Sequence, residues 1–313
     1  METEPRGNEL IVRYKKTYHI PNEKNVSEQM ILEHWELEKR LTKRLLNSTK
    51  ENRWATFDEC YSKLYGELYW LNTLINTENE FDSSEISKNW VKLIGDPPKR
   101  VYEIGSGKGE LISSLAKEGY NCKATEITME RGEKHVMKHP NLSWGISDGI
   151  HLENFEKTNY YDIVISNQVI EHIHPDDLDE HLKGVFSILN KGGKYIFTTP
   201  HKFIGPSDVS RVFNCDEPIG MHLREYTYKE LGDALFKSGF SNIKAVAMLS
   251  PNFYKKFSLP YISPKKSSLY FNYLCFVEEF IYFLKNGKTT RISQKLLLFF
   301  LLAPTIILIA KKK

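Results

Sequence analysis

The sequence predicts an α/β fold in which helices cover a largely parallel sheet. From residue 100 onward, short β-prone runs alternate with helical patterns, which is typical of a parallel sheet. The first run, Arg100–Ile104, leads directly into the glycine-rich turn Gly105–Gly109 and then into a helical pattern. At 313 residues, with 41% hydrophobic and 27% charged residues, the chain is long enough for a large domain with a cap.

The glycine-rich turn has the properties of a nucleotide-binding loop. Glycines lack Cβ, so the backbone can bend sharply and approach a ligand, and the N–H groups of the helix start can face that ligand. The spacing Gly-x-Gly-x-Gly, with Glu110 in the sixth position, departs from the dinucleotide fingerprint, and no Gly-Lys-Ser/Thr follows as in a P-loop. Glu103, two residues before the first glycine, suits a ligand with a cationic end. A glycine turn without any ligand is the structural alternative.

The other strands and helices follow from apolar periodicity and from breaks at glycine and proline. Strands are predicted over Asn121–Glu126, Leu142–Trp144, Tyr161–Ser166, Lys194–Thr199, Ile243–Met248 and Thr305–Ala310. Helices are predicted from the glycine turn to about Glu118 and over Met129–Lys138, Pro175–Leu189 and Thr227–Lys237.

The break at Asp96-Pro97-Pro98 separates the N-terminal region from this core, and three segments are expected. Residues 1–98 form a helical cap, residues 99–249 form the ligand-binding core, and residues 250–313 form a basic, aromatic helical insertion with the last strand. Within the cap, residues 1–25 show no clear period and are expected to be mobile, whereas residues 26–48 predict a helix. Thr56-Phe57-Asp58-Glu59 is typical of a capping box at the start of the next helix.

The C-terminal region has an unusual charge and an apolar end. Residues 250–313 hold eleven Lys and Arg, two acids and thirteen aromatic residues, which favours a membrane surface or an amphiphilic substrate; a cap with solvated lysines is the alternative. Leu296–Ala310 is shorter than the roughly 17–25 residues of a membrane span and contains Pro304, so a helix ending near Leu302 and then a strand are expected. A tail anchor stays open. With no signal peptide, the expected location is cytoplasmic, with membrane association as a further possibility.

The pattern Glu103-x-Gly105-x-Gly107-x-Gly109 resembles motif I of the class I S-adenosylmethionine-dependent methyltransferases. The match extends over about residues 100–200, where polar residues follow four successive predicted strands in the order that the family shows. The resemblance implies a Rossmann-like, seven-stranded methyltransferase sheet with an antiparallel last strand and S-adenosylmethionine as cofactor. The chain is most similar to the small-molecule branch that includes ubiquinone- and glycan-tailoring methyltransferases.

By this resemblance, the cofactor contacts residues at the carboxyl ends of the first four strands, where open α/β sheets bind their ligands. Glu126 accepts hydrogen bonds from the ribose hydroxyls, and Asp148 accepts one from the adenine amino group. A surface glutamate and an Asp-Gly turn are the structural alternatives. Asn167 and Gln168 line the methionine end. The full predicted cofactor site comprises Glu103, Gly105, Ser106, Gly107, Gly109, Glu126, Ile127, Asp148, Gly149, Asn167 and Gln168.

Methyl transfer to an oxygen benefits from a base, and histidine titrates in the right pH range. His222 is favoured as the catalytic residue because its segment resembles the one that borders the acceptor pocket in many relatives; His172 is second and His201 is a further candidate. For each histidine alone, a structural role is the alternative. No metal site is expected: the spacing of His172, His174, Asp176 and His201 matches no standard ligand set, and Cys60, Cys122, Cys215 and Cys275 are scattered.

The sequence therefore predicts an S-adenosylmethionine-dependent methyltransferase that acts at an oxygen of a small-molecule or lipid-linked acceptor, of glycan or isoprenoid-like type. Two alternatives stay open. One is an RNA methyltransferase, which the basic tail allows although no Asn-Pro-Pro-Tyr-type motif follows the fourth strand. The other is a non-catalytic S-adenosylmethionine-binding protein. The expected partner is a small or amphiphilic acceptor, with a peripheral membrane contact through residues 250–313, rather than nucleic acid.

Overall fold

The computed structural model describes residues 4–74, 83–132, 138–248, 263–285 and 305–313. Its α-helices, ten among these residues, are α1 Gly7–Thr17, α2 Glu28–Leu46, α3 Arg53–Glu67, α4 Tyr69–Leu74, α5 Ser83–Ile94, α6 Glu110–Lys117, α7 Met129–Gly132, α8 Leu178–Ile188, α9 Tyr228–Lys237 and α10 Ser268–Lys285. Its eight strands are β1 Arg100–Ile104, β2 Asn121–Glu126, β3 Leu142–Ile146, β4 Tyr161–Asn167, β5 Leu189–Pro200, β6 Phe240–Ala247, β7 Lys265–Ser267 and β8 Thr305–Lys312.

The eight strands form one sheet in the order β3-β2-β1-β4-β5-β8-β6-β7. Strands β1 to β5 pair in parallel, and β8 runs antiparallel between β5 and β6. The prediction of an antiparallel last strand is confirmed, and the short β7, antiparallel to β6, makes the sheet one strand wider than the predicted seven. The chain leaves β1 toward β2 and β3 and then returns to the other side with β4. This reversal of strand order is where open α/β sheets bind ligands.

Both faces of the sheet are covered, so successive residues of a central strand are buried on opposite sides. One face packs against helices α8, α9 and α10 and includes Tyr102, Val164, Tyr195, Phe197 and Leu308. The other face packs against α5 and α6 and includes Val101, Ile163, Ile165, Ile196 and Ile309. The near-continuous apolar runs of these strands follow from this double burial.

The chain divides into two compact units. The first consists of Met1–Glu80, Glu171–Pro175 and Gly205–Glu225; the second consists of Phe81–Ile170, Asp176–Ile204 and Tyr226–Lys313. This division differs from the three consecutive segments expected from the sequence. Helix α5 belongs with the sheet, and two segments from the middle of the chain belong with the N-terminal helices.

The first unit has its own core and a buried polar chain. Trp35 of α2 stacks on Phe213, with ring centroids 4.5 Å apart. The Tyr14 hydroxyl donates to Nδ1 of His34 at 2.6 Å, and Nε2 of His34 donates to a Glu38 oxygen at 2.8 Å. The other Glu38 oxygen accepts from the Met221 N–H at 3.2 Å. These contacts fix the segment around residue 221 on helix α2.

Several local predictions are wrong. Residues 1–25 are not without structure, because α1 buries Leu10 and Tyr14 one helical turn apart. The predicted capping box at Thr56 lies inside α3, which begins at Arg53, and the Thr56 hydroxyl donates to the carbonyl of Asn52 instead. By contrast, Thr227 and Glu230 form a capping box at the start of α9.

Parts of other predictions lie outside the described residues. These are the end of the helix predicted over Met129–Lys138, most of the predicted insertion, and the helix predicted to end near Leu302. Among the helices that are described, none is long and apolar enough to cross a bilayer.

Candidate functional site

The glycine-rich loop after β1 has a backbone conformation that requires glycine at three positions. Gly105, Gly107 and Gly109 have φ angles of 64°, 57° and 70°, which L-residues rarely adopt. A Cβ on Gly105 would lie 2.7 Å from Cγ2 of Val169. Within the loop, the Ser106 N–H donates to the carbonyl of Thr125 at 2.9 Å. The loop is therefore held against β2 and against the turn that follows β4.

Glu126, the predicted ribose-binding acid, lies at the end of β2 beside this loop. One carboxylate oxygen accepts from the Gly107 N–H at 2.6 Å, and the other accepts from the Ile127 N–H at 3.2 Å. The side chain is buried, with 6% of its residue exposed. The structure thus brings Glu126 and Ile127 together with the glycines, as the sequence predicts.

Glu103 is a buried acid whose environment disfavours its charged form. The residue is 3% exposed, and its Oε2 makes no hydrogen bond to the described residues. Burial, reinforced by the negative charge of Glu126, raises the pKa of Glu103 to about 8, although the Ile112 N–H acts in the opposite direction. A cationic ligand would restore the ionised form. S-adenosylmethionine carries an ammonium and a sulfonium and no phosphate, so the residues present fit this cofactor.

Asp148 is engaged in its own turn after β3. Its Oδ1 accepts from the N–H groups of Ile150 and His151 at 2.8 and 2.9 Å, and its Oδ2 accepts from Nδ1 of His151 at 2.9 Å. Gly149 follows with a φ of 70°. The adenine contact of Asp148 and Gly149 stays a prediction.

A histidine that the sequence reasoning did not single out supports this turn. His181 of α8 is completely buried, and its Nδ1–H donates to the Gly149 carbonyl at 2.5 Å. Its Nε2 accepts from the Tyr195 hydroxyl at 3.0 Å. Burial lowers the pKa of His181 to about 4, so the ring is neutral at pH 7. One buried polar position on an otherwise apolar helix face was the only sequence signal for it.

Asn167 and Gln168, at the end of β4, are fixed to the neighbouring strand through Thr198. The Gln168 side-chain amide donates to the Thr198 hydroxyl at 3.0 Å, and this hydroxyl donates to the Asn167 side chain at 2.5 Å. Gln168 also has a φ of 58°, a conformation unusual outside glycine. Thr198 is a further supporting residue that the sequence did not reveal.

The first unit contains a cluster of chemically reactive side chains, Glu171, His172 and His222, called here the Glu-His-His cluster. Their potential ligand atoms all lie within 4.8 Å of one another, and the two imidazole rings are 4.9 Å apart at 82°. His172 donates from Nδ1 to the Met221 carbonyl at 2.9 Å, and His222 donates from Nδ1 to a Glu225 oxygen at 2.8 Å. The two histidines predicted as catalytic are therefore neighbours, although 50 positions separate them in the sequence.

Negative charge surrounds His222. Burial opposes protonation of the ring, but the hydrogen bond to Glu225 and the charges of Glu171 and Asp208 outweigh burial and raise the pKa of His222. The Glu-His-His cluster is thus a mostly buried polar site in a negatively charged environment.

His201, the third candidate base, has a structural position in the second unit. Its Nε2 donates to Glu278 at 2.8 Å, and its Nδ1 accepts from the Phe203 N–H at 3.1 Å. Glu278 also accepts from the N–H groups of Tyr228 and Lys229 at 2.6 and 2.9 Å. This network joins α10 to the start of α9 and leaves His201 completely buried.

Comparisons with known proteins agree on the family. A profile of the methyltransferase domain family matches residues 79–245, just over half of the chain. An uncharacterized methyltransferase of Bacillus mycoides (strain KBAB4) is 31% identical over 97 residues, which are 31% of this chain and 45% of that protein.

Two solved structures show a looser likeness. Haemonchus contortus phosphoethanolamine N-methyltransferase 2 in complex with S-adenosyl-L-methionine aligns with a TM-score of 0.47 and 17% identity, over 73% of this chain and 52% of that one. A SAM-dependent methyltransferase from Archaeoglobus fulgidus aligns with a TM-score of 0.47 and 19% identity, over 74% of this chain and 94% of that one. This chain therefore matches about half the length of the Bacillus and Haemonchus proteins.

The family match covers the same strands and loop in which the glycines, Glu103 and Glu126 come together. The antiparallel β8 is the last strand that the motif resemblance implies. The chain belongs to the methyltransferase domain family.

Proposed function

We propose that the protein transfers the methyl group of S-adenosylmethionine to an oxygen of a small-molecule or lipid-linked acceptor. The observation that supports an oxygen acceptor is the hydrogen bond from Nδ1 of His222 to Glu225. This bond fixes the tautomer and directs Nε2 away from Glu225 as a proton acceptor, an arrangement typical of a general base. His172, held in the same way by the Met221 carbonyl, is the second residue of this kind.

The residues of the chain divide the work of the reaction. When bound, S-adenosylmethionine supplies an activated methyl group on a positively charged sulfur. Glu103, Glu126 and the glycine loop bind and orient the donor, and Asn167 and Gln168, anchored to Thr198, provide fixed polar groups after β4. His222 takes the proton of the acceptor hydroxyl while an O–CH₃ bond forms and the S–CH₃ bond breaks, leaving a neutral thioether. Most of the rate enhancement comes from holding the two reactants in line.

The surface of α10 supports an amphiphilic acceptor. Tyr273, Phe276, Phe280 and Phe283 are exposed and follow each other at spacings of three or four residues, so they lie on one side of the helix. Such an aromatic face, within a region of strongly basic sequence, suits a lipid or a lipid-linked acceptor.

Labelled S-adenosylmethionine and a cell extract provide the direct test. After incubation, the extract is fractionated into lipid, glycan, small-molecule and nucleic-acid pools, and the labelled bond is tested for stability to base and acid as expected of a methyl ether. The proposal predicts label in the lipid, glycan or small-molecule pool and none with Gly105→Arg protein. Label confined to nucleic acid, or to nitrogen, would contradict it.

A further inference from the structure

We propose that the Glu-His-His cluster is a binding site for a divalent transition-metal ion. The three side chains come from two separated segments of the chain, Glu171–Pro175 and Gly205–Glu225, which belong to the same compact unit. The metal site itself is independent of the identity of the acceptor. Only the role of the metal in the reaction rests on the proposed function.

The distances between the potential ligand atoms of the cluster are close to those around a bound metal ion. Two imidazoles and one carboxylate place their potential ligand atoms within 4.8 Å of one another. Around an ion with bonds of about 2.0–2.2 Å, neighbouring ligand atoms are about 3–3.5 Å apart. Side-chain rotations that move each ligand atom by about 1 Å would therefore bring the three atoms to the distances of a coordinated ion.

The backbone holds the two segments together at the cluster. The Glu171 carbonyl accepts from the N–H groups of Leu223 and Arg224 at 2.8 and 3.2 Å. The ligand-bearing residues consequently start from fixed main-chain positions, which limits the entropy lost when an ion binds.

The hydrogen bonds behind the histidines are those of a metal site. A metal-ligating histidine almost always donates its other ring N–H to a carboxylate or a backbone carbonyl, which fixes the tautomer and makes the ligating nitrogen more basic. His172 meets this condition through the Met221 carbonyl, and His222 meets it through Glu225. Glu225 is itself positioned by the Ser207 N–H at 2.6 Å. In both rings, Nε2 is the nitrogen that would bind the ion.

The charge of the surroundings also favours a cation. Glu171 is completely buried, Glu225 is 3% exposed, and Asp208 adds its negative charge at His222. Buried carboxylates are stabilised by positive charge placed close to them. A divalent ion would neutralise them.

The ligand types select the class of metal. Two imidazoles with one carboxylate suit Zn²⁺, Mn²⁺, Fe²⁺ or Co²⁺, whereas Mg²⁺ and Ca²⁺ prefer oxygen ligands only. Three protein ligands leave coordination positions open. In the metal-loaded protein, an acceptor hydroxyl at such a position would lose its proton more readily to solvent, and the ion would replace the imidazole of His222 in activating it.

Metal binding to untagged protein, stripped with a chelator and dialysed, tests the site. Zn²⁺, Co²⁺, Mn²⁺ and Mg²⁺ are titrated by calorimetry, and the bound metal is counted by mass spectrometry. We expect one Zn²⁺ or Co²⁺ per chain, a visible absorption band for the Co²⁺ form, and at least 100-fold weaker binding of Mg²⁺. Glu171→Gln and His222→Ala should each weaken Zn²⁺ binding at least 30-fold, whereas His19→Asn, which removes an exposed histidine, should not change it.

The variants are compared only where their circular dichroism matches the wild type, and Glu171→Gln, which keeps the shape of the side chain, serves if His222→Ala does not fold. Absence of stoichiometric binding to the wild type, or equal affinity in Glu171→Gln, would refute the metal site. Stoichiometric binding without any O-methylated product would support the site and contradict the proposed function. Product formed at the same rate by the stripped enzyme would contradict the role of the ion.

Discussion

Replacing Glu103 by glutamine should have a more favourable effect on the stability of the ligand-free protein at neutral pH than at pH 4.5. The side chain is 3% exposed, and its pKa in the folded protein is about 8, against an ordinary value of 4.5. Between these two values the unfolded chain loses the proton of Glu103 and the folded chain keeps it. The contribution of Glu103 to the unfolding free energy is therefore fully present below pH 4.5. It is lost as the pH rises, until the carboxyl of the folded protein also ionises near pH 8.

The expected magnitude follows from the size of this shift. Each pH unit in the window removes about 1.4 kcal/mol from the unfolding free energy of the wild type relative to Glu103→Gln. The difference in unfolding free energy between Glu103→Gln and the wild type should therefore be about 3 kcal/mol larger, in favour of the variant, at pH 7 than at pH 4.5. The side-chain amide of the glutamine lacks a hydrogen-bond partner at the position of Oε2. This changes the unfolding free energy by an amount that is the same at every pH.

Urea unfolding followed by circular dichroism at pH 5, 6, 7 and 8 measures this difference. Glu110→Gln is the matched control, because Glu110 is an exposed acid in the same loop region, and its difference from the wild type should change by less than about 0.5 kcal/mol over the series. A gap between wild type and Glu103→Gln that stays constant from pH 5 to 8 would refute the assignment of a neutral, buried carboxyl.

The same carboxyl should release its proton when the cationic cofactor binds. Calorimetry at pH 7 in two buffers of different ionisation enthalpy counts the protons released. The wild type should release close to one proton more per S-adenosylmethionine than Glu103→Gln does. Equal proton release by the two proteins would show that the cofactor does not change the ionisation of Glu103.

Three further predictions use other parts of the fold. Gly105→Ala should weaken S-adenosylmethionine binding at least tenfold by calorimetry, because its Cβ would meet Val169; Gly66→Ala, where a Cβ meets nothing within 4 Å, should leave affinity unchanged. Glu278→Gln should lower the unfolding free energy by about 2–4 kcal/mol without changing cofactor affinity, since three donors lose a charged acceptor. Because the pKa of His181 is lowered to about 4, the unfolding free energy should fall as the pH is lowered from 6.5 to 4, and urea unfolding should show that this pH dependence is lost in His181→Gln.

The sheet and the cofactor loop could be predicted because their signals are local. The glycines, Glu103 and Glu126 stand at strand ends, and parallel pairing of β1 with β2 places those ends side by side. The Glu-His-His cluster could not be predicted in this way. His172 and His222 become neighbours through long-range contacts without a repeating pattern, among them the hydrogen bonds of the Glu171 carbonyl with Leu223 and of His172 with Met221.

Smaller errors have similar physical causes. Helix α1 buries only Leu10 and Tyr14, too few apolar positions for a recognisable period. Thr56 has the residue types of a capping box, but the helix already begins at Arg53, because Asn52 supplies the preceding non-helical residue and the burial of Arg53 and Phe57 favours an earlier start. In α3, packing overrides local propensity.

The electrostatics of the glycine loop identify the charge of the ligand independently of the glycine spacing. In phosphate-binding loops, backbone N–H groups at a helix start remain directed at the anion. Here the N–H groups of Ser106, Gly107 and Gly109 are already bonded within the protein, and the acceptor for Gly107 is the carboxylate of Glu126. A phosphate at this position would have to displace the acceptors of these three N–H groups and would meet the negative charge of Glu126. Its own charge would raise the pKa of Glu103 further. A ligand with a positive end meets the opposite situation, since it allows Glu103 to ionise. The charges and hydrogen bonds around the loop therefore favour a ligand with a positive end over an anionic one.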